Sequence, residues 1–183
     1  MNLTIVSGSD RPGANALVIS KYLQQRYIEK EVSTHILNLQ DFPLSAVEGG
    51  VYKKVPESVQ TFTRPLMEAD GWVMVVPEYN GGYPGILKMC IDYLPYPHAF
   101  EYRPVALIGE SSGAFGALRA VEQLQMVLGY RNAHIFPERV FIPRVYENFD
   151  PNQGINDEFQ QSLLDSQIEG FIDYIGIIQS KNK

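Results

Sequence analysis

The chain has 183 residues, 45% of them hydrophobic and 20% charged, with a formal net charge of −6. That size and balance fit one globular domain over residues 1–183, while the acidic surplus and scattered Lys and Arg exclude a nucleic-acid partner, whose phosphates demand clustered basic groups. No apolar stretch approaches the roughly 20 residues of a membrane span, and the amino terminus has no basic flank before an apolar signal core, so the expected setting is the cytoplasm with no membrane partner.

Leu3 to Val6 form a compact apolar strand, an amphipathic helix runs from about Ala16 to Glu29, and Glu31 to Leu39 read as a second strand. Val59, Phe62, Leu66 and Ala69 step at helical spacing, with Pro65 expected to kink or restart that helix. Trp72 to Val76 are continuous and partly β-branched, as in a central strand buried on both faces. After them Tyr79-Asn80-Gly81-Gly82 can reverse the chain, Pro84 suits a first helical turn, and Ile86, Leu87, Cys90, Ile91 and Leu94 mark a helix. Val105 to Ile108 make the fourth strand, followed by a helix with a stripe at Ala117, Val121, Leu124 and Leu128 that Gly129 is placed to close. The fifth strand falls within Ile135 to Ile142, where Pro137 and Pro143 favour an edge or bulged strand. Leu164, Ile168, Phe171, Ile175 and Ile178 define a last helix.

Strands alternating with helices imply a three-layer αβα architecture around a parallel sheet, and five strands fit the flavodoxin-like order 2-1-3-4-5. In that order the loops after strands 1, 3 and 4 share the edge where ligands bind.

The first loop, Ser7 to Ala16, offers hydroxyls at Ser7 and Ser9, the Arg11 guanidinium and free amides at a helix start, which suit a phosphate. Asn15 is a candidate cap for that helix. The loop has neither the closing Lys of GxxxxGK[ST] nor the spacing of GxGxxG, which disfavours nucleoside triphosphates. Taken alone it is as readily an ordinary strand-to-helix connection. The second loop, Pro77 to Gly85, carries a flat aromatic, a carboxylate, an amide and glycines, suited to close approach by a planar polar ligand. The third, Gly109 to Gly116, is again small and polar. Glu110 reads there as an ordinary loop carboxylate, because nothing places a substrate proton beside it.

Competing chemistries find little footing. His35, His98 and His134 show no paired spacing for a metal. The lone Cys90 sits in an apolar helical stretch and reads as a small buried hydrophobe.

Together the three loops resemble the NAD(P)H-dependent FMN reductases of flavodoxin-like fold, a family that includes azo-dye, chromate and quinone reductases. SGSDRPGAN at Ser7 to Asn15 is similar to the family's phosphate loop, PEYNGGYPGILKMCIDYL at Pro77 to Leu94 to its flavin-ring loop and helix, and SSGAFGALRA at Ser111 to Ala120 to its third loop. The resemblance implies that Ser9, Arg11, Asn15 and the backbone at Ala16 hold the phosphate of FMN. It implies further that Pro77, Glu78, Tyr79 and Asn80 contact the ring and ribityl chain, and that Ser111, Ser112 and Gly113 border the ring's other edge. Ala14 stands where many relatives carry a hydroxyl, and Ala114 and Ala117 stand where paired glycines are common.

The implied activity is hydride transfer from NADPH or NADH to bound flavin and on to a small-molecule electron acceptor such as a flavin, quinone or azo compound. The flavin's N5 would carry the chemistry, so no catalytic side chain and no metal is expected. Such reductases assemble as homodimers or homotetramers through the helices after strands 3 and 4, where Met89 and Met126 suit an interface. Arg119 and Arg131 are the candidates for distinguishing NADPH from NADH. The alternative is a flavodoxin-type electron carrier without NAD(P)H activity, which usually lines its flavin with a longer acidic and aromatic loop than Pro77 to Gly85.

Overall fold

The computed structural model describes residues 1–181; residues 182 and 183, which the single-domain expectation includes, lie outside the described residues. In chain order the elements are β1 (Asn2–Ser7), α1 (Asn15–Glu29), β2 (Ser33–Asn38), α2 (Glu57–Glu68), β3 (Gly71–Pro77), α3 (Gly85–Asp92) and β4 (Pro104–Glu110). Then follow α4 (Leu118–Tyr130), β5 (His134–Ile135), β6 (Val140–Ile142), α5 (Val145–Asn148), β7 (Phe149–Asp150), β8 (Gly154–Ile155) and α6 (Glu158–Lys181).

The sheet is parallel in the order β2-β1-β3-β4-β5, with β6 also on β4, as the alternating pattern predicts. Every residue of β3 and β4 is buried. Their alternate side chains feed two separate cores: Trp72, Met74 and Val76 pack with Val59, Leu87 and Leu124, while Val73 and Val75 pack with Leu23, Leu164 and Phe171. Helices α2, α3 and α4 therefore cover one face of the sheet, and α1 and α6 cover the other.

The fifth position is divided. His134–Ile135 pair with Pro104–Val105, Val140–Ile142 pair with Ile108–Glu110, and the chain leaves the ladder between them around Pro137. That gap strands the carbonyl of Leu107 in the core. Gln167 of α6, itself fully buried, donates its side-chain amide to Leu107 O at 3.1 Å and to Glu138 O at 2.7 Å, so a helix side chain replaces the missing strand bonds.

Two local expectations are corrected. α2 runs through Pro65 as one continuous helix, so of the kink or restart expected there the restart does not occur, and the Pro65 carbonyl accepts a hydrogen bond from Thr4 Oγ1 at 2.7 Å. α4 continues past Gly129 to Tyr130, and the left-handed residue that ends it is Asn132 at φ 63°, whose amide turns back to Gly129 O. The β7–β8 hairpin and α5 had no periodic signal, since each is only two to four residues long.

Replacing Gln167 with Leu leaves the buried Leu107 carbonyl and the part-buried Glu138 carbonyl without this partner, and the expected loss of stability is roughly 1–3 kcal/mol. Urea unfolding of Gln167→Leu checks it; an unchanged midpoint would show that water or a shift of β6 satisfies both groups.

Candidate functional site

The C-terminal ends of β1, β3 and β4 carry three loops that meet. In the first, Gly8 N donates to Val75 O at 2.9 Å, and a Cβ at Gly8 would lie 2.5 Å from that carbonyl, so only glycine lets the loop hug β3. Ser9 is buried; its Oγ lies 2.6 Å from Tyr79 Oη and accepts the Arg11 amide at 3.1 Å, tying loop one to loop two. The exposed Arg11 guanidinium stands 5.6 Å from the Tyr79 ring centroid. α1 starts at Asn15, so the cap position belongs to Ala14, which has no side chain to offer, and Asn15 is not the cap. The first-turn amides of α1 thus have no side-chain acceptor, and no acidic residue sits in that turn.

In the second loop Tyr79 and Gly82 exchange backbone hydrogen bonds at 2.8 and 3.1 Å, across a turn with Asn80 at φ 53° and Gly81 at φ 78°. Two successive left-handed residues make a primed hairpin turn, for which Asn-Gly is the favoured pair. The third loop is anchored from beyond β6: Val145 N donates to Ser111 O and Arg144 N to Gly113 O, both at 3.0 Å.

One cleft runs between these loops. Arg11, Asn15, Pro77, Glu78, Tyr79, Ser111 and Ser112 line it. Ser9 and Ala16 are buried and do not line it, and Asn80 and Gly113 are exposed beside it. Glu78 brings an Oε2 that is buried and has no hydrogen-bond partner.

Sequence reasoning missed two groups. Tyr146 of α5 lines the cleft from an element too short to read. Glu110 does too, and it is not a loop carboxylate: it is the last residue of β4, opposite Pro77, and only 5% exposed. Burial pushes its carboxyl up from 4.5 to about 7, with Arg11 pulling the other way. An acidic residue ending an otherwise apolar strand was the available signal. Cys90, by contrast, is buried and pushed up to about 12, as befits an inert thiol.

The raised Glu110 carboxyl makes stability depend on pH. Between 4.5 and about 7 the native chain holds a proton that the unfolded chain has released, so stability falls as pH rises through that window. The full loss is on the order of 3 kcal/mol, and Glu110→Gln should recover most of it above neutrality. Urea midpoints of both proteins on either side of the window test this; parallel pH profiles would refute it.

The family model described as NADPH-dependent FMN reductase matches residues 1–147. An FMN-dependent NADPH-azoreductase of Staphylococcus saprophyticus is 33% identical over 113 residues, and the match covers 60% of this chain and 60% of that protein. The quinone reductase of Escherichia coli K12 is 29% identical over 142 residues, covering 75% of this chain and 76% of that protein. Among solved structures, the flavoenzyme NAD(P)H:(acceptor) oxidoreductase FerB of Paracoccus denitrificans superposes with a TM-score of 0.77 at 26% identity, over 96% of this chain and 97% of that one.

Proposed function

The chain belongs to the NADPH-dependent FMN reductase family, and we propose that it is an FMN-dependent oxidoreductase that oxidises NADPH or NADH and reduces a small acceptor such as a quinone, azo compound or free flavin. The observation that carries this reading is the meeting of Arg11, the uncapped start of α1 and the Tyr79 turn in one cleft.

The donors present suit FMN. Arg11 and the amides from Asn15 onward would hold the phosphate, since an uncapped helix start and a guanidinium are both complementary to a dianion. Pro77, Glu78, Tyr79 and Asn80 would border the ring and ribityl chain, with Ser111, Ser112 and Gly113 on the other side, and the orphaned Glu78 Oε2 would find a donor in a ribityl hydroxyl. Ser9 and Ala16 act from beneath, Ser9 by fixing Tyr79 through its hydroxyl. When bound, the flavin supplies a hydride acceptor and donor, so the chain needs no nucleophile of its own. Its residues orient the ring and leave a face open, which the two-residue turn at Asn80-Gly81 does better than a long covering loop. That short turn favours the enzyme over a flavodoxin-type carrier.

Arg131 is a poor choice for recognising the NADPH phosphate, because its guanidinium already stands 4.5 Å from the Tyr96 ring centroid and packs over Tyr130 and Phe100. Arg119 lies over Phe115 at 5.4 Å, at the rim of the third loop. We assign the chain to the cytoplasm as a homodimer or homotetramer, joined through α3 and α4. α4 carries Met126 at 69% and Tyr130 at 82% exposure, large apolar surface for a lone subunit to leave in water, whereas Met89 is partly buried against the core.

Purified protein titrated with FMN should perturb the flavin spectrum and then oxidise NADPH or NADH in the presence of a quinone. Arg11→Ala should weaken FMN binding at least about tenfold, the scale of one charge-assisted contact. Binding without nicotinamide oxidation would leave the carrier; no binding would sink both. Light scattering should give a dimer or tetramer, and Met126→Glu should shift it toward monomer.

A further inference from the structure

Glu110 is the one buried carboxylic acid that ends a central strand in the cleft. Its Cα is registered against Pro77 of β3 and Ile142 of β6, and among the described residues no hydrogen bond or ion pair reaches its carboxyl. The titratable groups that share the cleft with it are Arg11 from the first loop, Glu78 and Tyr79 from the second, and Tyr146 from α5; β6 presents only apolar Phe141 and Ile142 at this level. Among the described residues Arg11 is the one cation that lines the cleft, and Glu78 is a second carboxylate whose backbone amide donates to Glu110 O at 3.3 Å.

The same Arg11 is the side chain the cofactor phosphate would engage. Loading an anion into the cleft thus does two things to Glu110 at once: it diverts the positive charge that favours ionisation, and it adds negative charge nearby. Both act in the same direction, because burial already disfavours the ionised carboxylate and a like charge nearby disfavours it further.

We propose that FMN binding protonates Glu110 and so couples cofactor loading to proton uptake. Burial pushes the free protein's carboxyl up to about 7, so the coupling falls in the ordinary working range of pH. The sign is fixed by linkage: the bound state holds more protons than the free state, so affinity falls as pH rises above the free-state value.

This inference rests on the FMN reading above, and the experiment separates the two. Flavin-free protein is titrated with FMN by calorimetry at about pH 8, where the FMN phosphate is already a dianion, in two buffers of different ionisation enthalpy. The expected result is a buffer-dependent heat corresponding to uptake of up to one proton, with a dissociation constant that rises toward tenfold per pH unit above about 7. Glu110→Gln, which keeps the shape without the proton, should bind with the same heat in both buffers and with a flat pH profile. Glu78→Gln should retain the uptake. Glu110→Leu stands in should the Gln variant not fold, and it too should bind without uptake. Binding by the unaltered protein with no buffer dependence overturns the role of Glu110 whatever the variants do, as does uptake that persists in Glu110→Gln. Absence of FMN binding overturns the cofactor reading and this inference with it.

Discussion

The site depends on the double-sided burial of β3 and β4. Each is seven residues long, each is covered by helices on both faces, and their parallel ladder runs in register to Pro77 and Glu110. Because the two strands end level, the chain leaves the sheet at neighbouring points, and the Glu78 amide reaches straight to Glu110 O. Loop one joins them by carrying the β1–β3 contact one residue further through Gly8. The cleft is thus set by strand length and register, and the loops need only be small enough to stay out of it.

Within that frame, charge is placed sparingly. The chain carries a net −6, yet the cleft holds one guanidinium and two carboxylates. Burial of Glu110 is the larger influence on its titration and raises it, while Arg11 acts in the opposite direction. An anionic ligand is consequently welcomed by Arg11 and the start of α1 but opposed by any ionised carboxylate behind them. Neutralising Glu110 removes that opposition without adding a second cation.

The layering and strand order were legible because β3 and β4 are unbroken apolar runs and the helices repeat at fixed spacing. The Asn80-Gly81 reversal was legible for a local reason, since that dipeptide suits two left-handed residues. What escaped was set by distant partners. Pro65 stays helical because its context is decided by packing against β1, and the fifth strand's division is resolved by Gln167, whose role no local pattern announces. Glu110 escaped because a carboxylate next to Ser-Ser-Gly looks like part of a loop; only the extent of the β4 ladder shows that it is still in the sheet. Asn15 was misassigned by a single residue, which matters here because the true cap, Ala14, leaves the helix start open to an anion.

The two alanines of the third loop behave differently from one another. Ala114 is exposed and does not line the cleft, so its methyl group takes no space from a ligand there. Ala117 is fully buried and left-handed at φ 68°, a conformation that costs an alanine about 1–2 kcal/mol relative to glycine. Gly116 beside it is also left-handed, and its carbonyl lies over Gly109, where no Cβ fits. The loop is held in this shape by the burial of Ala117 against the core under α4 and by the two bonds from Arg144 and Val145. Strain at one residue is therefore offset by packing and hydrogen bonds on either side of it, and the result is that Ser111 and Ser112 face the cleft in a fixed position although the turn that carries them lacks the glycine its geometry prefers.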